Sequence, residues 1–240
     1  MIVENTLPVA AKAAALPVVQ KTLTEKIMIA LPLMGKGALL TVGITFAAVA
    51  IGLIGGVICG FITAERIKLR WFARAIAAAE FFISGMPIFV QLLLVFFVLP
   101  QVIGIHPSPI IAGIITISLT AIVRFAEIIR HDINLIPEGQ WEACKVLGYS
   151  LRMTLWSIIL PQVLRTSVAS FMSESVSLLK ETYIVSILGA LELTKVAMNL
   201  GSKELDPVTA YVLVAFVYLA IIGVLTFIVS RIENKFLREV

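Results

Sequence analysis

An uncharged apolar stretch near the N-terminus constrains this chain more than any other feature. Residues 38–64 contain no Asp, Glu, Lys, Arg or His, and a helix of about 20 such residues crosses the hydrocarbon core of a bilayer. Further apolar segments follow at 75–100, 110–129, 163–179 and 207–230. Since 60% of the residues are hydrophobic and only 14% are charged, a water-soluble domain is excluded. We predict an all-α integral membrane protein with about five transmembrane helices.

The remaining composition excludes several classes of function. The net charge of +4 is explained by basic residues at membrane ends, and it does not indicate nucleic-acid binding. Cys59 and Cys144 form no disulfide or metal-binding pattern, and His106 and His131 lie far apart. No metal site is therefore predicted. The chain also has no G-x-x-x-x-G-K-[ST] phosphate loop or catalytic motif, so we expect it not to be an enzyme.

Charge and hydropathy divide the chain into three regions. Residues 1–36 are predicted to be an extramembrane or interfacial leader, residues 37–236 the transmembrane domain, and residues 237–240 a cytoplasmic tail. The connection at 65–74 carries four basic residues, whereas 101–109 has no Lys or Arg. The positive-inside rule then places the 136–162 loop and the tail in the cytoplasm and the N-terminus outside. The four lysines of the leader oppose this placement, and an interfacial helix or additional span near residues 9–34 stays open.

Local patterns predict several contacts within the spans. Gly85 and Pro87 predict a kink in the second span. Arg124 and Glu127 are three residues apart, close enough to pair on one helix face. Arg124 is also a candidate partner for Glu80.

Small and polar residues recur at helical spacing in two spans. Gly52, Gly56 and Gly60 form a stripe that lets another helix approach, either within the subunit or across a subunit boundary. The fourth segment is unusually polar, and a carboxylate in a span usually faces a bundle interior or a water-filled path. Its polar residues are predicted to share one helix face, while close packing is the alternative for the serines: Ser167, Ser170, Ser173, Glu174 and Ser177.

The 136–162 segment is a polar insert between two apolar spans. Pro137 favours a helix start, Gly148 favours its end, and a second helix then leads to Pro161 at the entry to the next span. We place Trp141, Val146 and Leu147 on its apolar side, with Cys144 elsewhere. A soluble helix between two spans predicts a docking surface for a cytoplasmic partner.

This insert resembles the EAA loop, "EAA…G…LP", of permease subunits of bacterial ABC importers. The matching residues are EAC at 142–144, LG at 147–148 and LPQ at 160–162. The flanks AEIIRHDINLIPEGQWEA and ESVSLLKETYIVSILGALELTKVA resemble the histidine/glutamine/arginine-type, polar amino acid branch, as does SGMPIFVQLLLVFF, which is similar to its "RGTPLLVQL" signature. The resemblance runs from about residue 37 to 236. Cys144, Ser84 and Met86 depart from it, where Ala, Arg and Thr are usual.

The resemblance implies a type I ABC importer transmembrane domain with a cytoplasmic coupling helix, in the bacterial cytoplasmic (inner) membrane. Such a subunit forms the pathway for a polar, including a basic, amino acid by alternating access. Its implied partners are a dimer of ABC ATP-binding subunits, a second identical or homologous permease, and an extracytoplasmic amino-acid-binding protein. ATP and Mg would be used by the partner, and no cofactor is expected on this chain. The alternatives are an ion-coupled secondary transporter without an ATPase and a non-transporting scaffold.

The resemblance also implies roles for individual residues. Coupling to the ATPase is expected at Pro137, Gly139, Glu142, Ala143, Leu147 and Gly148. Glu174 is expected to line the substrate pathway and to meet an amino group of the substrate, beside Ser170, Ser173 and Ser177. The "LLK-[DE]-T" match predicts a gate at Lys180, Glu181 and Thr182, where Lys180 and Glu181 are also candidates to pair.

Overall fold

The structure, a computed structural model, describes residues 22–64, 70–203 and 205–237. Its regular elements within these ranges are all helical, which confirms the predicted fold class. In chain order they are α1 Leu23–Thr63, α2 Arg70–Ser84, α3 Ile88–Ile103, α4 Pro109–Asn134, α5 Glu138–Val146, α6 Leu151–Thr166, α7 Val168–Glu181 with a 3₁₀ extension Thr182–Leu188, α8 Leu193–Lys203 and α9 Pro207–Leu237.

Three helices are long and apolar enough to cross a membrane, and the number rises to five if each of two bent helix pairs forms one span. The long helices are α1, α4 and α9, and the pairs are α2 with α3 and α6 with α7. Length and composition of the described residues therefore agree with the predicted five spans.

The first helix starts well before the predicted first span. Thr22 caps it: its hydroxyl accepts from the Glu25 backbone N–H, and the Glu25 carboxylate accepts from the Thr22 N–H. With 41 residues, α1 is about 60 Å long, roughly twice the hydrocarbon thickness. The helix thus extends N-terminally beyond the predicted first span and continues through Pro32 into the predicted leader. Residues 1–21 of the predicted leader lie outside the described part of the chain.

The glycine stripe packs α1 directly on α4 of the same chain. A Cβ added at Gly52 would lie 2.4 Å from the Ala121 Cβ, and one at Gly56 would lie 2.4 Å from the Phe125 Cβ. At Gly60 it would lie 2.7 Å from the Ile129 Cβ. Of the two arrangements left open by the sequence, the structure has the one within the subunit.

Both bent pairs break at identifiable residues. The α2–α3 pair turns by 104° around Gly85 and Pro87, which agrees with the predicted kink. The Gln91 amide holds this corner by donating to the carbonyls of Ile83 at 2.7 Å and Met86 at 3.0 Å. The α6–α7 pair turns by 50° at Ser167.

A small hydrophobic core joins α1, α8 and α9 around a buried carboxylate. Its apolar members include Met34, Leu193 and Ala210. Glu192 is 0% exposed and accepts from the backbone N–H groups of Thr194 and Lys195, which caps α8. Hydroxyls of Thr41 and Tyr218 donate to the same carboxylate at 3.4 and 3.3 Å, so three helices meet on one side chain.

Candidate functional site: a docking helix and a polar pathway

The insert between α4 and α6 folds as the short helix α5, which we call the docking helix. It ends in a Schellman motif at Gly148, whose φ is +74°. The Tyr149 N–H donates to the Cys144 carbonyl at 2.9 Å, and the Gly148 N–H donates to the Lys145 carbonyl at 3.0 Å. Glycine suits this left-handed position because it has no Cβ. The predicted glycine stop is therefore present.

The docking helix buries a different face from the predicted one. Trp141 and Cys144 are 6% and 4% exposed, whereas Val146 and Leu147 are 88% and 69% exposed. Of the predicted apolar side, Trp141 is buried, but the placement of Val146 and Leu147 is wrong. Residues three apart, Trp141 and Cys144, form the inner face instead. All six predicted coupling residues are exposed: Pro137, Gly139, Glu142, Ala143, Leu147 and Gly148.

The second helix of the insert is continuous with the next span. Ser150 caps α6, and the chain stays helical from Leu151 through Pro161 to Thr166. A π turn at Leu155–Ile159, with the Leu160 N–H bonded to the Leu155 carbonyl, comes directly before Pro161. The predicted separate fourth segment starting at 163 is therefore wrong, because the wider π turn accommodates proline inside one helix.

The predicted pathway carboxylate, Glu174, lies in an ion-pair network. Arg124 of α4 donates from Nη1 to Glu174 Oε1 at 2.6 Å and from Nη2 to Glu181 Oε1 at 2.7 Å. Arg124 therefore does not pair with Glu127, whose side chain is exposed, and Glu181 pairs with Arg124 instead of Lys180. Spacing along one helix suggested the first pair, but contact between α4 and α7 determines the observed ones.

The predicted polar face of α7 is divided between two concave surfaces. Glu174 and Ser170 line a pocket of about 310 Å³ with Arg124, Asp132 and other α4 residues. Ser170, Ser173, Ser177 and Lys180 instead line a groove against Thr226 and Val229 of α9. Thr182 of the predicted gate is buried and donates to the Leu179 carbonyl.

Two further contacts join the end of α4 to its neighbours. Arg130 Nη1 donates to Glu80 Oε2 at 2.9 Å and to Thr63 Oγ1 at 3.0 Å, so the Glu80 partner is Arg130 and the suggested pair with Arg124 is wrong. Asp132 Oδ2 accepts from Ser167 at 2.5 Å and from Thr166 at 3.0 Å.

The Asp132 contact lies at the α6–α7 bend and is not predicted from the sequence. The sequence predicts Ser167 on the polar face of the fourth segment, but it is buried at the bend. An acidic residue near the end of α4 was the available signal, although its partners are more than thirty residues away.

The fold and the site together define the membrane subunit of a transport system. Three to five candidate spans carry an exposed docking helix, together with a polar network inside the helical domain. The chain belongs to the family described as binding-protein-dependent transport system inner membrane component, whose sequence model matches residues 56–239. It is a transporter membrane subunit and not an ATPase, and it works with an ATP-binding subunit and a substrate-binding protein.

Individual relatives agree with this assignment. The chain is 30% identical over 211 residues to the L-cystine transport system permease protein TcyB of Bacillus subtilis (strain 168), covering 87% of this chain and 88% of that protein. It is 29% identical to the arginine transport system permease protein ArtQ of the same organism, covering 85% and 93%.

Solved structures show the same architecture. A crystal structure of an amino acid ABC transporter with histidines superposes with a TM-score of 0.80 at 27% identity, covering 87% of this chain and 96% of that one. An inward-facing MetNI methionine ABC transporter superposes with a TM-score of 0.74 at 18% identity, over 85% and 96%, which supports the fold alone.

Proposed function

We propose that this chain forms half of the transmembrane pathway of an ATP-driven amino acid importer. Two permease subunits, identical or homologous, face each other, and closure of two ATP-binding subunits is transmitted through the docking helices. An extracytoplasmic binding protein delivers the amino acid. The substrate class is supported by relatives that carry cystine and arginine in their names and by a transporter structure with histidines.

The docking helix is the observation that carries the proposal. Its inner face is buried by Trp141 and Cys144, while Val146 and Leu147 project at its C-terminal end. Exposed apolar side chains next to a rigid turn suit insertion into a groove of a soluble partner. We assign coupling to the six exposed residues named above.

The pathway is assigned to the two concave surfaces of α7. Glu174 is partly exposed in the pocket beside Arg124, and Ser170, Ser173 and Ser177 lie on or next to the same helix face. Lys180 and Glu181 remain our candidates for a gate at the end of this helix, together with Thr182.

Leu147→Asp tests the docking assignment without changing the folded core. Since Leu147 is exposed, the variant should insert and fold, but a charge in the partner groove should release the ATP-binding subunit. We expect at least a tenfold lower recovery of that subunit in mild-detergent purification, measured by quantitative mass spectrometry. Ile105→Asp is the matched control, because Ile105 is a similarly exposed aliphatic residue in the loop before α4. This variant should keep full recovery of the ATP-binding subunit.

Gly148→Asp provides a second test, with Gly148→Asn as its control. Both residues tolerate a left-handed backbone better than other side chains, so their conformational cost is similar, but only Asp adds charge. We expect Gly148→Asp to lose uptake while it keeps membrane insertion. Full uptake with both Leu147→Asp and Gly148→Asp would reject the docking helix as the coupling element.

A further inference from the structure

Arg124 lies where α4 faces two carboxylates of α7. Its two terminal nitrogens bind separate partners, Glu174 at 2.6 Å and Glu181 at 2.7 Å. A guanidinium has five N–H donors, so these two contacts leave others available to a ligand. The Arg124 side chain is 33% exposed, which leaves it within reach of the pocket beside it.

The charges around this pocket are unbalanced. Its lining contains the carboxylates Glu127, Asp132 and Glu174, and Arg124 is its one Lys or Arg residue among the described residues. Glu181 Oε2 is buried and has no hydrogen-bond donor among the described groups. Without Arg124, the pocket would present carboxylates to a ligand and would favour cations.

We propose that Arg124 determines the charge selectivity of the substrate pathway. It neutralises part of the charge of Glu174 and Glu181, and its free N–H groups bind the α-carboxylate of a zwitterionic amino acid. Glu174 then accepts from the α-ammonium group. A cationic side chain on the substrate is therefore not required for binding. This inference rests on the proposed function.

The competing explanation for the same contacts is that Arg124 only stabilises the packing of α4 against α7. The two explanations differ in what Arg124→Met does to two ligands. A purely structural role predicts that the variant weakens the binding of both ligands equally. A role in selectivity predicts that L-glutamine is weakened more, because both ligands lose the α-carboxylate contact but the uncompensated carboxylates attract only the cationic side chain of L-arginine.

The test uses the detergent-purified complex of the chain with its ATP-binding subunit, without the binding protein. Equilibrium binding of L-glutamine and L-arginine is measured for wild type and for Arg124→Met. We expect the ratio of L-glutamine to L-arginine affinity to fall at least about tenfold, because removal of one positive charge from the pocket favours the cationic side chain of L-arginine. An equal loss for both ligands, or an unchanged ratio, would overturn the proposal.

Two further variants keep the result interpretable. Arg165→Met removes the same charge from an exposed position on α6 and should leave the ratio unchanged. If Arg124→Met does not assemble, Glu174→Gln provides the measurement, because one carboxylate fewer should shift the ratio towards L-glutamine; a ratio equal to wild type would overturn the proposal.

Failure of the proposed function would give a different experimental result from failure of this inference. If wild type binds neither ligand while the ATP-binding subunit still co-purifies, the amino acid site and this inference are both rejected, but the docking assignment stands.

Discussion

Glu192 shows how one buried side chain can hold three helices together. It is fully buried outside the predicted spans, and burial raises the pKa of its carboxyl because the charged form is poorly solvated there. Hydrogen bonds from Thr194 and Lys195 oppose that increase. The Thr41 hydroxyl reaches it from α1, which is 151 residues away along the chain.

Glu192→Gln should change how stability depends on pH. A carboxyl whose pKa is raised by folding stabilises the protein fully below its unfolded pKa, and this contribution is lost as pH rises through the folded value. From about pH 4.3 upward, the unfolding temperature of wild type should therefore fall relative to that of Glu192→Gln. Thermal unfolding in detergent between pH 4.5 and 8 measures the difference. A difference that does not change with pH would contradict the raised pKa.

At the scale of single residues, the sequence predicts which residues belong to a site better than it predicts their contact partners. The turn at Gly148 follows from local backbone rules, and the six proposed coupling residues follow from motif spacing. The partners of Arg124, Glu80 and Glu181 do not, because they lie on other helices and depend on how those helices pack.

At the scale of elements, the interface between α1 and α4 depends on missing side chains. Gly52, Gly56 and Gly60 let the α4 side chains approach within distances that a Cβ would not permit. The spacing of four residues predicts a close contact, but it does not predict which helix supplies it.

Gly56→Ala should destabilise the chain by about 1–3 kcal/mol, because the added methyl would overlap the Phe125 Cβ and approach the Ala126 backbone. Gly43→Ala is the matched control on the same helix, since a Cβ there has nothing within 4 Å. The Gly43→Ala substitution should leave the stability of the folded chain unchanged or raise it slightly. Unfolding of both variants is compared in detergent, and equal unfolding temperatures would show that α1 can move away from α4 at little cost.

A short repeat explains two other local structures. The sequences LVFFVLPQV at 94–102 and LWSIILPQV at 155–163 share the pattern L-x₄-L-P-Q-V. Each contains a π turn, Leu94–Val98 and Leu155–Ile159, that ends two residues before a proline. Without this repeat, Pro161 alone predicts a boundary between two elements. In both places the chain remains helical because the widened turn relieves the clash that proline causes.

At the scale of the whole molecule, apolar segments predict the five spans because each must fill the same thickness of bilayer. Their bends and connections require the tertiary structure. One such connection runs from the docking helix into α4 and through Asp132 to the bend between α6 and α7. This arrangement joins the proposed coupling element to the proposed pathway helix.

Asp132→Ala should uncouple ATP hydrolysis from amino acid uptake. Removing the acceptor of Ser167 and Thr166 releases the bend, so we expect ATPase activity in proteoliposomes to persist while amino acid uptake falls at least about tenfold. Asp132→Asn keeps an acceptor oxygen and should retain most of the uptake. Equal loss of ATPase activity and uptake in Asp132→Ala would indicate a folding defect and reject a role in transmission.

The buried face of the docking helix has one more consequence. Cys144 lies on the inner face of that helix with 4% of its surface accessible, and it is a free thiol. A water-soluble alkylating reagent reaches its sulfur only when the helix lifts from the membrane domain. The rate of alkylation at this native residue therefore reports how often the helix detaches, during the transport cycle and without any introduced label.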